Sequence, residues 1–489
     1  MAFSGTAVPG PHLLTLSLLV SAGMLLSLLA HVYRAWYRLR HIPGPRWAAF
    51  SKWWMLRNTL SGKMHLALKR ACDEHGPVVR IGPNDLVTND SEILRRMWAV
   101  RSPYRKGDFY DAIRLDPTRD NIISMRDDHA HNELRAKVAI GYSGKENEFL
   151  ETAIDAQMLS LVRLIEERYV STPGVFRPMD FASKMQYLTL DIITSLAFGE
   201  CFGYLSQDKD VHNYIQITEE SMPVMMTLSV LPSLAAIMQS PFFRRAMPSE
   251  HDRVGLGKFI AVAKKVLAGS DTTATAMRMT MVYLMTTPTA YNALTKEVRD
   301  ACDRNLLSVP VQDAEARRLP YLQATIREGL RVFPPVTGLM SVAVPRGGDV
   351  MHGMSIPEGT QIGWSAFGVL RSKAVFGPDA DTFRPERWLE AGDEELKAMT
   401  AQWELVFKYG KWQCLGKTVA LLDLNKIFVE VGSHMIGGDS QIRWYTDDAL
   451  QLLRRFDFSL IDPIEPMKSY SAGIFIQSNL MVKVVGRGP

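Results

Sequence analysis

One cysteine in this chain stands in a loop bracketed by glycines. In Phe407-Lys408-Tyr409-Gly410-Lys411-Trp412-Gln413-Cys414-Leu415-Gly416 it precedes the apolar run Thr418 to Leu422, which reads as a helix. Cys414 would then sit just ahead of a helix N-terminus, where free backbone N–H groups and the helix dipole favour a thiolate. Gly410 and Gly416 let the backbone lie close to a flat ligand. Such a thiolate suits the axial ligand of a haem iron. The competing reading is an ordinary buried free cysteine, the commoner fate of a lone Cys.

Three further groupings precede that loop. In Ala268-Gly269-Ser270-Asp271-Thr272-Thr273 a glycine, an acid and an alcohol fall within a helical run. Glycine is costly there, and Thr can bond the carbonyl a turn back, so the helix can open and aim a hydroxyl at a ligand. Asp271 and Thr272 have the chemistry of a proton relay; a helix cap or a solvated turn is the commoner use of such a cluster. Glu328 and Arg331 form a helical i,i+3 pair, by default a minor surface ion pair. Phe383-Arg384-Pro385-Glu386-Arg387-Trp388 adds a second arginine. Buried together, Glu328, Arg331 and Arg387 would make a charge-paired clamp under the cysteine loop.

The elements that must position these groups are mostly helical. Helical spacing covers Ser124 to Ala139, Asn147 to Tyr169, Asp180 to Phe198 and Met277 to Asn305. Val78 to Ile81 and Asp85 to Thr88 read as a hairpin, followed by a helix from Glu92 to Val100 capped by Ser91. Strand patterns return at Val342 to Val344, Thr360 to Trp364, Phe456 to Ile461 and Asn479 to Val485. The fold class is therefore mainly α with small peripheral β-sheets.

Composition is that of a globular protein, 47% hydrophobic and 22% charged over 489 residues. Four widely spaced cysteines with no paired spacing fit a reducing compartment and argue against a zinc site. The net charge is +4, but nine basic residues precede the first acid, Asp73, so the remainder carries −5. This asymmetry points to a membrane surface and not to nucleic acid. Leu13 to Tyr33 lacks charge and is long enough for a transmembrane helix; its positive flank lies on the C-terminal side, unlike a signal peptide. That flank places the catalytic side in the cytoplasm. Residues 1–40 are thus a luminal tail, anchor and basic flank, and His41-Ile42-Pro43-Gly44-Pro45 is a stiff break before a body spanning 41–489.

With these four motifs in this order behind an anchor, the chain resembles the cytochrome P450 superfamily of haem-thiolate monooxygenases. It is most similar to membrane-anchored fungal members such as pisatin demethylase. The resemblance runs from the Pro-Gly-Pro break onward and implies that Cys414 ligates haem b, with Phe407, Gly410 and Gly416 shaping its loop. It implies that Asp271 and Thr272 are the acid–alcohol pair, and that Glu328, Arg331 and Arg387 are the clamp. His131 and Arg135 match the helix that reaches the haem propionates. It further implies single-pass insertion in the endoplasmic reticulum membrane, a hydrophobic small-molecule substrate, and NADPH-derived electrons from an NADPH–cytochrome P450 reductase. Lys408, Lys411, Lys417, Arg135 and Lys137 would offer that partner a basic face.

Two departures stand out. The arginine expected two places before the cysteine is Trp412, and Lys411 is expected to take over its propionate contact. The text from Gly257-Lys258 to Lys264-Lys265-Val266 also runs directly into Leu267-Ala268-Gly269, where the family has several dozen more residues. An internal deletion near 265–267 is expected, with a helix running from about Gly257 to Thr286. The expected reaction is hydroxylation or oxidative demethylation in fungal secondary metabolism. The alternatives are a haem-thiolate isomerase or dehydratase, and an inactive, internally deleted remnant.

Overall fold

A computed structural model describes residues 11–114, 119–142, 149–240, 242, 269–429 and 456–486. The junction at 265–267, and the run from Gly257 to Ala268, lie outside the described residues. A helix Pro11–Arg38 leads the chain. Its segment Thr15–Arg38 contains an 18-residue stretch with a mean hydropathy of 1.9 and is long and apolar enough to cross a membrane, a candidate anchor.

The joint after this helix is packed. Arg80, buried in the first strand, donates to the carbonyls of Ala35 (2.9 Å), Trp36 (3.2 Å), Ala49 (3.1 Å), Gly82 (3.1 Å) and Pro83 (2.8 Å). Ala35 and Trp36 lie in the last turn of the helix, whose carbonyls have no intrahelical partner. Arg80 N–H also donates to Pro43 O at 2.8 Å, and a Cβ on Gly44 would lie 2.1 Å from Arg80 O. Only glycine fits there, so the Pro-Gly-Pro break is a fixed joint and not a slack tether.

The strands form two small sheets and two hairpins. The five-stranded sheet runs Val78–Arg80, Asp85–Thr88, Gln361–Trp364, Val342–Ala343, Arg105–Lys106 in spatial order. Within this sheet the Asp85–Thr88 and Gln361–Trp364 strands pair in parallel, with Leu86 opposite Ile362. The four-stranded sheet joins Phe456–Leu460 and Met481–Gly486 to Val170–Ser171 and Pro178–Asp180. Lys468–Ala472 with Ile474–Ser478, and Asp349–Met351 with Met354–Ile356, are isolated hairpins.

The main core lies among helices. Phe181–Phe198 is capped by Asp180, which accepts from Ala182 N–H at 3.1 Å, and stops at Gly199 with φ +80°. It packs between Leu150–Arg168 and Ser270–Thr286. Ser270–Thr286 in turn rests on Pro320–Val332 and Lys417–Val429. Three expectations are corrected. Asp90, not Ser91, caps the helix Ser91–Trp98, accepting from the N–H groups of Glu92 and Ile93. The helix expected from Ser124 begins at Asp128, because Asn121 Oδ1 takes the N–H of Ser124 in a turn. The helix expected from Met277 to Asn305 is two, broken before Pro288, whose ring bars the preceding residue from helical geometry.

Candidate active site

The cysteine loop is built from two short 3-10 turns, Glu404–Phe407 and Gly410–Trp412, ahead of the helix Lys417–Val429. Cys414 N–H donates to Phe407 O at 2.8 Å and folds the loop back on itself. Gly410 has φ +60°, and a Cβ there would sit 2.2 Å from Trp98 O, so the loop lies hard against the end of the Ser91–Trp98 helix. Phe407, Lys411 and Trp412 are buried, while the Cys414 side chain is accessible. The backbone N–H groups of Gly416 and Lys417 and the charge of Arg135 favour the thiolate. Crowding of the thiol outweighs these and leaves its pKa raised. Protein groups thus prepare a thiolate without completing it, which is the behaviour of a metal ligand whose ion supplies the remaining charge.

The helix Asp128–Tyr142 carries His131 and Arg135 one turn apart. Arg135 is within electrostatic reach of Cys414. His131 is buried, and desolvation, then the Lys106 charge, push it down to about 4, so it is neutral. Lys411, from which a propionate contact is expected, is engaged by protein oxygens. Its ammonium donates to Ser102 O (3.1 Å), Tyr104 O (2.7 Å) and Asp128 Oδ2 (2.9 Å). An ammonium has three donors, and all three are spent on protein acceptors. Nor does the basic face take the expected form. Lys408 and Lys411 are buried, Lys137 pairs with Glu133 at 2.8 Å, and Lys417 pairs with Glu404 at 2.5 Å.

On the other side stands Asp271, in the first turn of Ser270–Thr286. Its Oδ1 accepts from Gln186 Nε2 at 2.8 Å, and Gln186 Oε1 accepts from Arg278 Nη2 at 2.8 Å. Arg278 is anchored by Ala182 O at 2.9 Å. Desolvation raises the Asp271 pKa against the pull of Arg278 and Gln186. Thr272 follows on the same turn and is half-buried. Three apolar loops converge at Phe109, Gly338 and Gly473: a Cβ on Gly338 would lie 3.3 Å from the Phe109 ring and 3.4 Å from Gly473 Cα. A cavity of about 20 Å³ lies beside them, lined by Phe109, Leu339, Ser341 and Met55 among others. Tyr470 turns away, donating to Thr59 O and Leu60 O.

The structure brings Glu328, Arg331 and Arg387 together. Glu328 is fully buried and accepts from Arg331 Nε (2.8 Å) and Nη2 (2.7 Å), Arg387 Nε (2.9 Å), Arg384 N–H (2.9 Å) and Trp388 Nε1 (2.9 Å). Arg331 and Arg387 spend further donors on carbonyls of Ala380 and Phe376, both at 2.6 Å. Arg327, one residue before Glu328, stacks its guanidinium over Trp388 and Trp403, and Trp403 meets Phe407 edge-on at 5.7 Å. The clamp therefore reaches the cysteine loop through aromatic rings. Sequence reasoning did not find Gln186, Arg278 or Arg327; Gln186 and Asp271 are 85 positions apart and share no motif.

These residues fit a haem. The sulphur is an accessible soft donor in a loop that a side chain at position 410 would disrupt. On one flank Lys106, Lys408, His131 and Arg135 form an arc of basic groups, and neither lysine has a carboxylate within salt-bridge distance among the described residues. A flat macrocycle carrying two carboxylates on one edge has the chemistry that this set would hold.

Comparison with known proteins agrees. The family model for cytochrome P450 matches residues 42–255 and 259–431. Cytochrome P450 monooxygenase ABA1 of Pyricularia oryzae is 38% identical over 496 residues, covering 92% of this chain and 93% of its own length. The aba1 monooxygenase of Botryotinia fuckeliana is 35% identical over 487 residues, covering 91% and 92%. The crystal structure of a cytochrome P450DA mutant haem domain superimposes with a TM-score of 0.66 over 92% of this chain and 98% of its own, at 17% identity. A thiol-bearing loop braced by a buried clamp, on a helical scaffold that this family shares, places the chain in the cytochrome P450 family.

Proposed function

We propose that this chain is a membrane-anchored haem-thiolate monooxygenase acting on a hydrophobic small molecule, by hydroxylation or oxidative demethylation. The observation that carries the reading is the accessible Cys414 side chain ahead of the helix Lys417–Val429, where the backbone of Gly416 and Lys417 and the charge of Arg135 favour a thiolate. When bound, haem with a thiolate ligand supplies the redox chemistry that activates dioxygen. The chain supplies the rest. Cys414 is the ligand, Phe407 packs behind it, and Gly410 and Gly416 keep the loop flat. His131 and Arg135 would hold the haem carboxylates. Asp271, held by Gln186 and with its pKa raised by burial, would with Thr272 hold and hand on a proton at its carboxyl. Phe109, Gly338 and Gly473 close an apolar wall that excludes water and orients substrate.

Electrons would come from NADPH through NADPH–cytochrome P450 reductase. The anchor would hold residues 41–489 on the cytoplasmic face of the endoplasmic reticulum, and the likeness to fungal relatives favours a place in secondary metabolism. The stretch before Leu267 is proposed to lack residues that related chains carry, and sequencing the transcript tests this. The function is tested on membranes holding the full chain. The reduced, carbon-monoxide-bound protein is expected to show the red-shifted Soret band of thiolate ligation, Cys414→Ser to abolish it, and NADPH consumption to require reductase. Folded wild type without that band refutes the reading.

A further inference from the structure

Lys408 combines three features that rarely coincide. Its backbone has φ +59° and ψ −172°, a region essentially reserved for glycine. Its side chain is buried, with the ammonium 4.9 Å from the centre of the Trp98 ring. And that ammonium makes one hydrogen bond, to Tyr110 Oη at 3.1 Å, with no carboxylate partner among the described residues. A second buried lysine, Lys106, lies 5.2 Å from the same Tyr110 ring, and its ammonium donates to the carbonyls of Ile122 and Ile123. Burial, then the charge of Lys106, lowers Lys408 to about 7; burial lowers Lys106 to about 7, with Arg135 and Lys411 adding to it and Asp128 and Asp120 opposing it. A buried cation without a counter-charge is costly, and here it is held in a strained backbone as well.

The arrangement makes sense with an anion between the lysines and the cysteine loop. Lys106 interacts electrostatically with His131 and Arg135, and Arg135 with Cys414, so the arc from Lys408 ends at the sulphur. Trp412 offers no charge, and Lys411 has none of its donors free. We infer that Lys408 is a cofactor-binding residue, whose buried ammonium, supported by Lys106, holds a haem carboxylate in place of the Trp412 and Lys411 positions. The inference rests on the haem-thiolate reading above. The strain at Lys408 is then explained, since this φ and ψ send the side chain inward from a loop position where glycine would be more comfortable.

The test uses the full-length haem-bound protein in detergent, with Lys408→Met and Lys408→Gly. The methionine keeps the buried stem and removes the charge; the glycine also relieves the backbone. Haem transfer to excess haem-free globin and the reduction midpoint potential are measured for each. Both variants are expected to release haem about 10-fold faster or more, the scale of one hydrogen bond to a charged group. Both potentials should move negative, because a positive charge near the reduced centre is gone. Wild-type release and potential in Lys408→Met would overturn the inference. So would faster release at an unchanged potential, which marks lost packing only. A wild type that never shows the thiolate spectrum overturns the underlying reading, and is told apart because it fails before any substitution is made.

Discussion

Glu328→Gln keeps the shape of the clamp and removes its negative charge, so its cost can be worked from the geometry. One carboxylate oxygen faces Arg331 Nη2, Arg387 Nε and the Arg384 N–H; the other faces Arg331 Nε and Trp388 Nε1. A glutamine must turn its NH₂ toward one of these groups. Even in the better orientation two donors then face a donor. Each buried donor left unpaired costs about 1–3 kcal/mol. Among the described residues Arg331 and Arg387 would retain only Asp379, 3.0 Å from Arg387 Nη1 and partly exposed, as a paired carboxylate. Breaking a buried pair by removing one partner costs about 3–5 kcal/mol, and the two estimates agree. That is a large share of a total stability of about 5–15 kcal/mol. At about 2 °C per kcal/mol, the low end for larger domains, the unfolding midpoint should fall by roughly 6–10 °C. The assay is loss of the thiolate carbon-monoxide band after timed heating of wild type, Glu328→Gln, Arg387→Gln and the double variant. The double variant should lose less than the sum of the singles, since the partners are already parted. A midpoint within about 2 °C of wild type for Glu328→Gln refutes the reasoning.

Three other substitutions read separate parts of the site. Gly410→Ala places a Cβ 2.2 Å from Trp98 O at φ +60°; strain of about 1–3 kcal/mol should displace the loop and cut the fraction of protein with the thiolate band, measured spectrally. Asp271→Asn should leave that band intact and lower turnover by about 10²–10⁴, the range for a general acid, read as product formed per NADPH consumed. Asp423 is buried, its Oδ1 has no hydrogen-bond partner among the described residues, and desolvation raises its pKa well above the usual carboxylate value. The folded state therefore keeps a proton that the unfolded chain releases above about pH 4, so this group makes stability fall as pH rises. Asp423→Asn should flatten the slope of unfolding midpoint between pH 5 and 8; an equally steep slope in the variant sinks the assignment.

What could be read from the sequence follows from how far apart the interacting parts lie. The hairpin at 78–88 and the cysteine loop are local, and their patterns survive folding because turn chemistry and short hydrogen bonds set them. Glu328 with Arg331 was visible as an i,i+3 pair, but only burial turns a minor surface pair into a clamp, and burial depends on Arg387 and Trp388, 59 and 60 positions on. Gln186 reaches Asp271 across 85 positions, and Arg80 grips carbonyls of the anchor 44 and 45 positions earlier. Neither carries a motif, because an amide or a guanidinium bonded to a backbone carbonyl needs only the right distance. Lysines mislead most. As residue types they belong on the surface, so the sequence alone points Lys408 and Lys411 to a partner-facing patch. The fold buries both, and spends one on three protein oxygens while leaving the other with a single tyrosine. The difference lies in the backbone: Lys411 sits within a regular 3-10 turn, whereas Lys408 takes a glycine-like φ that turns its side chain inward. That sign of φ is a tertiary property of the loop closing against Trp98, and no reading of residue types could supply it.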